Sequence, residues 1–418
     1  MNWPRVQLGE VVDLLSGHPF KSERFSSDER DIPLVKGENV SQGSILWDIS
    51  KRWNAGDWNS LEKYQLRPGD VIVAMDRPWI PAGLKWAYIR EGDPKALLVQ
   101  RCSRLRPKGD ELDATFLRYV IGGGGFESYV KPITTGVNVP HISGRQILDY
   151  TFHLPPLPTQ RRIAGILSAY DELIANNQRR IAILEEMARA LYREWFVHYR
   201  APGVVMGEDG LPEGWEVKRL GEITTKIGSG ATPRGGKGAY HAEGIPLIRS
   251  MNVYDDHFIM DDLAFINEEQ AEALANVTVQ RNDILLNITG ASVARCCMAP
   301  TYLLPAHVNQ HVAIIRVNDE LISPHYVLDT INSAQKKKAI LSIAQAGATR
   351  EALTKEAIEN LDIILPPKAL TDRYEDIAAP MFEERELLVQ QSANLRRTRD
   401  LLLPRLMSGR VELNTVEA

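Results

Sequence analysis

The sequence has few of the cysteines that cross-link secreted proteins and lacks the long apolar runs that anchor membrane proteins. Its 418 residues include only three cysteines, Cys102, Cys296 and Cys297, without a C-x-x-C spacing. This count argues against both a disulfide framework and a zinc site. The apolar runs are short and the first residues contain no apolar segment, so we expect neither a membrane span nor a signal peptide. A reducing cytoplasm is the expected location.

An excess of basic charge is also missing. The chain carries 49 Lys+Arg against 54 Asp+Glu, a formal net charge of -5, whereas proteins that coat nucleic acid indiscriminately usually carry a basic excess. Residues 1–200 have 27 basic and 24 acidic side chains, a net of +3, and residues 201–418 have 22 and 30, a net of -8. Any attraction for DNA phosphates must therefore come from local clusters.

The motifs of common catalytic sites are absent as well. The sequence has neither a G-x-x-x-x-G-K-[ST] phosphate loop nor a G-x-S-x-G nucleophile turn. His307 and His311 are four residues apart but lack the Glu of H-E-x-x-H, so we expect no metal pair. The four glycines at positions 122–125 indicate a hinge or loop rather than a cofactor cradle. We therefore assign no catalytic residue and no metal ligand, and the pattern favours binding.

What the sequence does contain is an internal repeat with a period near 211 residues. Five ordered segments recur at offsets between 210 and 213. Among them are Ile32-Pro-Leu-Val-Lys36 with Ile245-Pro-Leu-Ile-Arg249, Asp70-Val-Ile-Val73 with Asp283-Ile-Leu-Leu286, and Leu154-Pro-Pro156 with Leu365-Pro-Pro367. Their common order makes a chance match improbable and predicts two similar halves.

Each half has the same layout and predicts an α+β fold. About 150 residues of short β-branched runs, punctuated by Gly, Pro and Asn, precede a long helical stretch. The predicted segments are a strand-loop domain at 1–153, a central helical spacer at 154–200, a linker at 201–214, a second strand-loop domain at 215–365, a C-terminal helical spacer at 366–410 and a tail at 411–418.

The helical stretches carry an apolar seam. In the first, the seam residues are Ile163, Leu167, Tyr170, Ile174, Asn177, Ile181, Leu184, Ala188, Leu191 and Trp195. In the second, they are Met381, Leu388, Leu395 and Leu402, with poorer positions at Arg385, Ser392 and Arg399. Pro380 indicates either the first turn of the second helix or a kink. The spacing predicts that the helices pack as an antiparallel coiled coil with the domains related by a pseudo-two-fold axis; ordinary core helices are the alternative.

The segment from Leu154-Pro-Pro through Gln160 to Asp171-Glu-Leu-Ile174 resembles the central helical region of DNA specificity subunits of type I restriction-modification systems. Further motifs in the second half are Gly-Ser-Gly-Ala-Thr232-Pro233, Ile245-Pro-Leu-Ile-Arg249, Gln310 and Gly347-Ala-Thr349. Their order and their duplication extend the resemblance over the whole chain. The first half has Gly17-His-Pro-Phe-Lys21 in place of the Thr-Pro loop.

This resemblance implies a non-catalytic DNA-binding subunit. Each strand-loop domain would be a target recognition domain that reads one half of a split double-stranded DNA sequence, and the helices would set the gap. The family's partners are two modification (methyltransferase) subunits, docked on the helices, and restriction or motor subunits. We expect no cofactor on this chain, and S-adenosylmethionine, ATP and Mg on the partners.

Contact with DNA requires side chains that bind phosphate or bridge two atoms of a base edge. The candidates in the first domain are Lys21, Arg24, Asn39, Arg77, Gln100, Arg101 and Asn138. The candidates in the second domain are Thr232, Arg234, Lys237, Arg249, Asn252, Gln310 and Thr349. Lys85, Arg104 and Arg106 add basic groups in or beside the first domain's loops. For each candidate the alternative is a solvated charge or a hydrogen bond at the end of a strand.

Two other classes of function remain open from the sequence. One is a single-chain DNA nuclease, which would need a metal-binding carboxylate cluster. The other is a protein-only adaptor scaffold whose two domains bind proteins. The densest charge run, Lys336-Lys337-Lys338, is interpreted as a solvated helix face rather than a contact surface.

Overall fold

The computed structural model describes residues 3–135, 140–208, 210–233, 236–346 and 352–410. Its contacts divide the chain into two compact units, the first formed by residues 1–176 with 392–418 and the second by residues 177–391. Each unit holds one strand-loop domain together with parts of both long helices, whereas the sequence boundaries treat the helices as separate segments. Within the described ranges, no helix is both long and apolar enough to cross a membrane.

The first unit contains short strands and short helices, followed by a long helix. Its strands are β1 (Arg5–Gln7), β2 (Val12–Ser16), β3 (Ile32–Val35), β4 (Arg52–Trp53), β5 (Val71–Ala74), β6 (Trp79–Ile80), β7 (Gly83–Leu84), β8 (Trp86–Tyr88), β9 (Leu97–Leu98), β10 (Cys102–Pro107) and β11 (Thr151–His153). Its short helices are α1 (Leu8–Val11), α2 (Ala114–Gly122), α3 (Gly124–Ile133) and α4 (Gly144–Leu148). The long helix α5 (Leu157–Tyr192) follows.

The second unit repeats this order. Its strands are β12 (Glu216–Arg219), β13 (Thr224–Ser229), β14 (Ile245–Ile248), β15 (Ala264–Ile266), β16 (Thr278–Val279), β17 (Ile284–Asn287), β18 (Cys296–Met298), β19 (Ala306–Val308), β20 (Val312–Val317) and β21 (Asp362–Leu365). Its helices are α6 (Glu268–Ala273), α7 (Pro324–Asn332), α8 (Ala334–Ala346) and α9 (Lys355–Glu359), followed by the long α10 (Lys368–Met407).

The central sheets of the two domains have the same topology. The first has the order β2-β10-β5-β8 and the second the order β13-β20-β17-β18, with antiparallel pairs throughout. A second sheet in each domain contains one parallel pair, β3 with β9 and β14 with β19. The sequence repeat is therefore a repeat of strand order as well.

A buried ion pair stabilises the same corner of both central sheets. Asp70 is 1% exposed and accepts hydrogen bonds from Arg106 Nε at 2.7 Å and Nη2 at 2.9 Å. Asp283 is 0% exposed and accepts from the equivalent Arg316 at 2.7 and 2.8 Å. Each carboxylate also accepts the backbone N–H of the residue three positions earlier. A charge at this depth is tolerated because its partners are complete.

The seam predicted for the first long helix is confirmed. All ten of its positions from Ile163 to Trp195 are buried or half-buried. In the first unit, Ile163 and Leu167 near the start of α5 share a core with Leu402 and Leu406 near the end of α10. This pairing of one helix's start with the other's end is what an antiparallel arrangement requires.

The second unit pairs the opposite ends of the same helices. Phe196, in the π-helical turn Arg193–Val197 that ends α5, contacts Tyr374 of α10 with ring centroids 5.1 Å apart. At the polar seam position Arg385, the Nε atom lies 3.2 Å from Glu185 Oε1. Two of the three poorer positions of the second helix, Arg385 and Arg399, are therefore cations that meet carboxylates on α5.

Pro380 does not mark the start of the second helix. Helix α10 begins at Lys368 and continues through Pro380 to Met407, so the interpretation of this proline as a first-turn residue is wrong. Of the glycines at 122–125, Gly122 ends α2 and Gly124 and Gly125 begin α3, so only Gly123 lies between the helices. The segment is a junction of two helices rather than a loop, and the hinge stays a prediction. A Cβ on Gly122 would lie 2.2 Å from the ring of Trp86, so glycine lets that indole pack there.

The solvated face predicted for the lysine run is wrong for two of its three residues. Lys336 Nζ donates to the carbonyl of Asp362. Lys337 is only 18% exposed; it pairs with the carboxylate of Asp255 and donates to the carbonyl of Ala294 at 3.1 Å. Segments distant in sequence supply these acceptors, so helix periodicity alone could not reveal them.

The three cysteines are free and buried. Burial raises the pKa of the Cys102 and Cys297 thiols to about 12 and raises that of Cys296 as well. The thiols therefore stay protonated and serve as small apolar side chains of the core. Within the described ranges, His, Cys, Asp and Glu form no group of three that could hold a metal ion.

Candidate nucleic-acid interface

In the first domain, three chain segments meet beyond the end of β5. Met75 N donates to Arg101 O, and Ile142 N donates to Met75 O, both at 2.8 Å. Arg77 N donates to Pro140 O, also at 2.8 Å. These backbone bonds form a rigid frame, and loop residues on such a frame are common recognition positions.

The side chains on this frame form a charged cluster, which we call the Asp76 cluster: Asp76, Arg101 and His141. Asp76 Oδ2 lies 2.8 Å from Arg101 Nη1, and its Oδ1 lies 2.5 Å from His141 Nδ1. Arg101 is 68% exposed, whereas Asp76 is only 18% exposed. Arg101 and the neighbouring Arg77 have φ of 69° and 45°. Bulky residues rarely adopt this conformation, which is enriched at functional sites.

A close backbone crossing brings a second loop to each frame. A Cβ on Gly17 would lie 2.3 Å from the carbonyl carbon of Val99, and a Cβ on Gly230 would lie 1.6 Å from Val308 O. Only glycine permits such an approach. The two glycines are 213 residues apart, so the repeat preserves the crossing itself.

The loop beyond Gly17 carries the next two predicted contacts. Lys21 and Arg24 are both exposed. The guanidinium of Arg24 lies 4.6 Å from the ring centroid of Trp53, and its Nη2 lies 3.3 Å from Asp57 Oδ2. Gln100 is exposed beside the Asp76 cluster. The first domain therefore presents five exposed predicted contacts on these loops, namely Lys21, Arg24, Arg77, Gln100 and Arg101.

The second domain builds the same frame from equivalent residues. Ile288 N donates to His311 O at 3.0 Å, and Leu353 N donates to Ile288 O at 2.8 Å. Thr289 forms a β-bridge with Ala352, as Asp76 does with His141 in the first domain. The backbone hydrogen bonds and the β-bridge therefore repeat while the side chains differ.

On this second frame the polar groups are neutral or weakly basic. Thr289 Oγ1 lies 2.6 Å from His311 Nδ1, and His311 Nε2 lies 3.0 Å from Gln310 Nε2. Thr232 Oγ1 donates to Gln310 Oε1. The structure thus brings two predicted contacts, Thr232 and Gln310, together around a histidine.

Two predicted base readers, Asn39 and Asn252, are instead structural. Both are 0% exposed. Asn39 Oδ1 accepts from Lys36 N at 2.8 Å and its Nδ2 donates to Leu34 O at 3.0 Å. Asn252 Oδ1 accepts from Arg249 N at 3.1 Å in the same way. Their amides close equivalent turns and have no donor or acceptor directed to solvent in this conformation.

Arg249 is half-buried and its guanidinium is largely held by the protein. Its Nη2 donates to the carbonyl of Asp262, and its Cζ lies 5.4 Å from the ring centroid of Tyr240. These two contacts hold the guanidinium of Arg249 beside Asp262 and Tyr240.

Three predicted contacts lie outside the described residues, namely Asn138, Arg234 and Thr349. Lys237 lies in the short 3-10 helix Gly236–Ala239, and its side chain is outside the description. For these four the DNA contact stays a prediction.

The chain matches the family model of the type I restriction modification DNA specificity domain over residues 1–186 and again over residues 212–372. Two matches along one chain correspond to the two repeated domains. The chain belongs to the type I restriction-modification DNA specificity family.

Similar proteins carry the same description. The type I restriction enzyme MjaIX specificity subunit of Methanocaldococcus jannaschii is 27% identical over 426 residues, which cover 99% of this chain and 94% of that protein. The EcoBI specificity subunit of Escherichia coli is 25% identical over 87% of this chain and 76% of its own length. The interpretation as a specificity subunit, the component of such systems that recognises the target and is not itself catalytic, is confirmed.

A solved structure supports the fold of this specificity subunit. The crystal structure of the type I restriction-modification S subunit from M. genitalium superimposes with a TM-score of 0.67. The two sequences are 15% identical, and the match covers 97% of this chain and 96% of that one. The predicted α+β fold with two repeated domains and long helices is confirmed.

Three basic residues of the specificity subunit that were counted with the first domain's loops are not on a loop surface. Arg104 and Arg106 lie in strand β10, where Arg104 is 7% exposed and contacts Asp13 at 2.6 Å. Arg106 pairs with the buried Asp70. Lys85 is 8% exposed, and burial lowers its pKa. The expected loop position is therefore wrong for Arg104 and Arg106, which pair from a strand, whereas Lys85 does lie between β7 and β8 but is buried.

The sequence predictions for the specificity subunit did not include the residues that contact Arg101 and Gln310 or lie at the matching frame positions, namely Asp76, His141, Thr289 and His311. Reading the repeat residue by residue places Thr289 opposite Asp76 and His311 opposite Arg101. That signal was available in the sequence. The sequence does not show that Asp76 and His141 are in contact, because they lie 65 residues apart in the chain and only the fold brings them together.

Proposed function

We propose that each strand-loop domain of this specificity subunit reads one half of a split double-stranded DNA target, and that the two long helices set the gap between the halves. The single observation that supports this most strongly is the repeated loop frame. The same backbone hydrogen bonds and β-bridge recur in both domains, while Asp76, Arg101 and His141 on one are replaced by Thr289, His311 and Ala352 on the other. A shared scaffold with exchanged side chains is suited to two different half-sites.

The charge distribution supports recognition by local contacts. With a net charge of -5, the chain lacks a bulk attraction for phosphate. We therefore expect the subunit alone to bind DNA modestly and with strong salt dependence. Bound partners would supply much of the affinity.

We propose two modification subunits as those partners, with restriction or motor subunits joining the complex. A repeated cleft in the two units supports the number two. In the first unit a cleft of about 650 Å³ is lined by Gly124, Leu403 and Met407. In the second, a cleft of about 610 Å³ is lined by Tyr192, Phe196 and Ala334. These residues match at offsets of 210 or 211, so identical partner elements could occupy both clefts.

The cofactors would belong to those partners. S-adenosylmethionine would serve the modification subunits, and ATP with Mg the motor subunits, while this chain contributes recognition. The free, buried thiols of all three cysteines agree with work in a reducing cytoplasm.

Selection from a random DNA library tests the proposed recognition. The full chain, alone and with its modification subunits, is incubated with random-core duplexes, and the bound DNA is sequenced. We expect two short conserved blocks separated by an unread gap of constant length. Absence of any selected sequence in both settings would refute DNA recognition and favour the adaptor alternative. Mg-dependent cleavage by the purified chain would establish the nuclease alternative.

Matched substitutions test the proposed clefts. A Cβ on Gly124 meets no atom within 4 Å, and its equivalent Ala334 is exposed, so tryptophan can fill either cleft without disturbing the core. We expect Gly124→Trp and Ala334→Trp each to reduce the bound modification subunits from two to one, and the double variant to bind none. Native mass spectrometry measures the ratio. Two subunits on the double variant would place docking elsewhere.

A further inference from the structure

The Asp76 cluster differs from its counterpart in the second domain at each of the three side chains that define it. Both frames share the hydrogen bonds that link the end of one strand, the start of the next and the segment around residues 140–142 or its repeat. The main difference between the two frames therefore lies in the side chains, since these hydrogen bonds are shared. Whatever these frames contact, the first presents a guanidinium and the second an imidazole.

The guanidinium of Arg101 is both exposed and oriented. It is 68% exposed, yet Nη1 is held 2.8 Å from the carboxylate of Asp76, and that carboxylate is itself held by His141. One edge of the guanidinium is thus used for orientation, while Nη2 and Nε make no hydrogen bond among the described residues. An arginine oriented in this way loses less conformational entropy when it binds.

The left-handed backbone at Arg101 is a second, independent observation. Its φ of 69° costs energy for a residue with a long side chain. The equivalent His311 is not among the residues with positive φ. The first domain thus tolerates a strained arginine at a position where the second has an unstrained histidine, which is expected if the guanidinium's direction matters for function.

We propose that Arg101 reads a guanine in the half-site of the first domain, with Asp76 as its positioning residue, and that the second domain makes no such contact. A guanidinium donates two parallel hydrogen bonds to O6 and N7 of guanine in the major groove, which is the most frequent specific contact between arginine and a base. The second frame carries an imidazole there and cannot donate this pair. The inference rests on the proposed function, since it assigns one base pair of the proposed bipartite target.

The test uses the full chain with its modification subunits and a duplex bearing the target selected by the unmodified protein. The first half-site is changed one base pair at a time, and binding is measured for the unmodified protein, Arg101→Ala and Arg101→Lys. We expect a preference for guanine at one position, and we expect both variants to reduce that preference on the order of 10- to 100-fold. Lysine keeps the charge but cannot form the paired bonds.

Two further variants separate positioning from folding. Asp76→Asn removes the carboxylate charge, and we expect a partial loss of preference at the same base pair, with an unchanged second half-site and an unchanged melting temperature. His311→Ala should leave the guanine preference intact. A uniform loss of affinity across all sequences in Arg101→Ala would assign Arg101 to phosphate and overturn the proposal, as would an unchanged first half-site. If the unmodified protein selects no bipartite target, the proposed function itself has failed.

Discussion

At the scale of single residues, polar side chains in this chain divide into those that close turns and those that remain free to bind. Asn39 and Asn252 have side-chain amides of the kind that can read adenine, but these amides already form the hydrogen bonds that close two equivalent turns. Gln100, two residues beyond the end of β9, stays exposed. The side-chain type indicates which base contacts a residue is able to form, while its burial decides whether those groups are accessible to DNA.

Asp329 is the residue whose ionisation is most altered by the fold. It is buried in α7 and accepts a hydrogen bond from the hydroxyl of Tyr374. Burial raises the pKa of its carboxyl to about 8, against about 4 in an unfolded chain. Between these values the unfolded state binds fewer protons than the folded state. The free energy of unfolding should therefore fall as the pH rises from about 4 to about 8 and stay level above that.

The variant Asp329→Asn tests this prediction, because it removes the titrating group while keeping an oxygen that accepts from Tyr374. From pH 5 to pH 8, its free energy of unfolding should fall less than that of the unmodified protein, by about 1.4 kcal/mol or more, the equivalent of one pKa unit. Urea unfolding at both pH values measures the difference. Parallel pH profiles for the two proteins would show that Asp329 is ionised in the fold at neutral pH.

At the scale of elements, the long helices are held by ion pairs of two kinds. Asp171 of α5 accepts from Tyr119 and from Arg399 of α10, both at 2.7 Å, and also from Arg118. Arg118 is only 12% exposed. In the second unit, Arg180 and Glu384 also pair, but their side chains are 50% and 39% exposed. Asp171 and Arg399 are half-buried, whereas Arg180 and Glu384 lie at the surface.

This difference predicts unequal costs for matched alanine substitutions. Asp171→Ala removes an acceptor that two guanidinium groups and a hydroxyl share, so we expect a loss of about 2 to 3 kcal/mol in the free energy of unfolding. Glu384→Ala should cost less than about 1 kcal/mol, because solvent screens the pair. Urea unfolding of both variants in the same buffer compares them directly. Equal losses would mean that the network around Asp171 contributes no more than a surface pair.

At the scale of the whole molecule, the proposed spacer role makes a metric prediction. Seven residues of helix add about 10 Å, which corresponds to about three base pairs. Inserting one heptad into α5 between Ile174 and Ile181, and another into α10 after Leu388, keeps the seam in register. We expect the unread gap to lengthen by about three base pairs while both half-sites stay the same, as read by selection from random-core duplexes.

An insertion into α5 alone serves as the control. It shifts the seam of one helix against the other, so we expect loss of bipartite binding. If the matched double insertion alters the half-sites and leaves the gap unchanged, the helices do not determine the spacing.

Much of this architecture could be predicted because its signals are local. The repeat is visible as ordered identities, and the seam of α5 as a spacing of three and four residues, since a helix places such residues on one face whatever surrounds it. The sequence alone gives no reason for Arg385 and Arg399 in the second seam. Their carboxylate partners, Glu185 and Asp171, lie 200 or more residues away.

The sequence by itself determined that the chain is two copies of one plan joined by long helices, and that its charge is too low for indiscriminate DNA binding. Only the tertiary structure decided which polar residues are free to bind. Asn252, Arg106 and Lys337 are held by partners or buried, whereas Arg101 is exposed and oriented. The physical reason is that exposure and hydrogen-bond partners depend on segments far apart in the chain, and no local pattern records which of them meet.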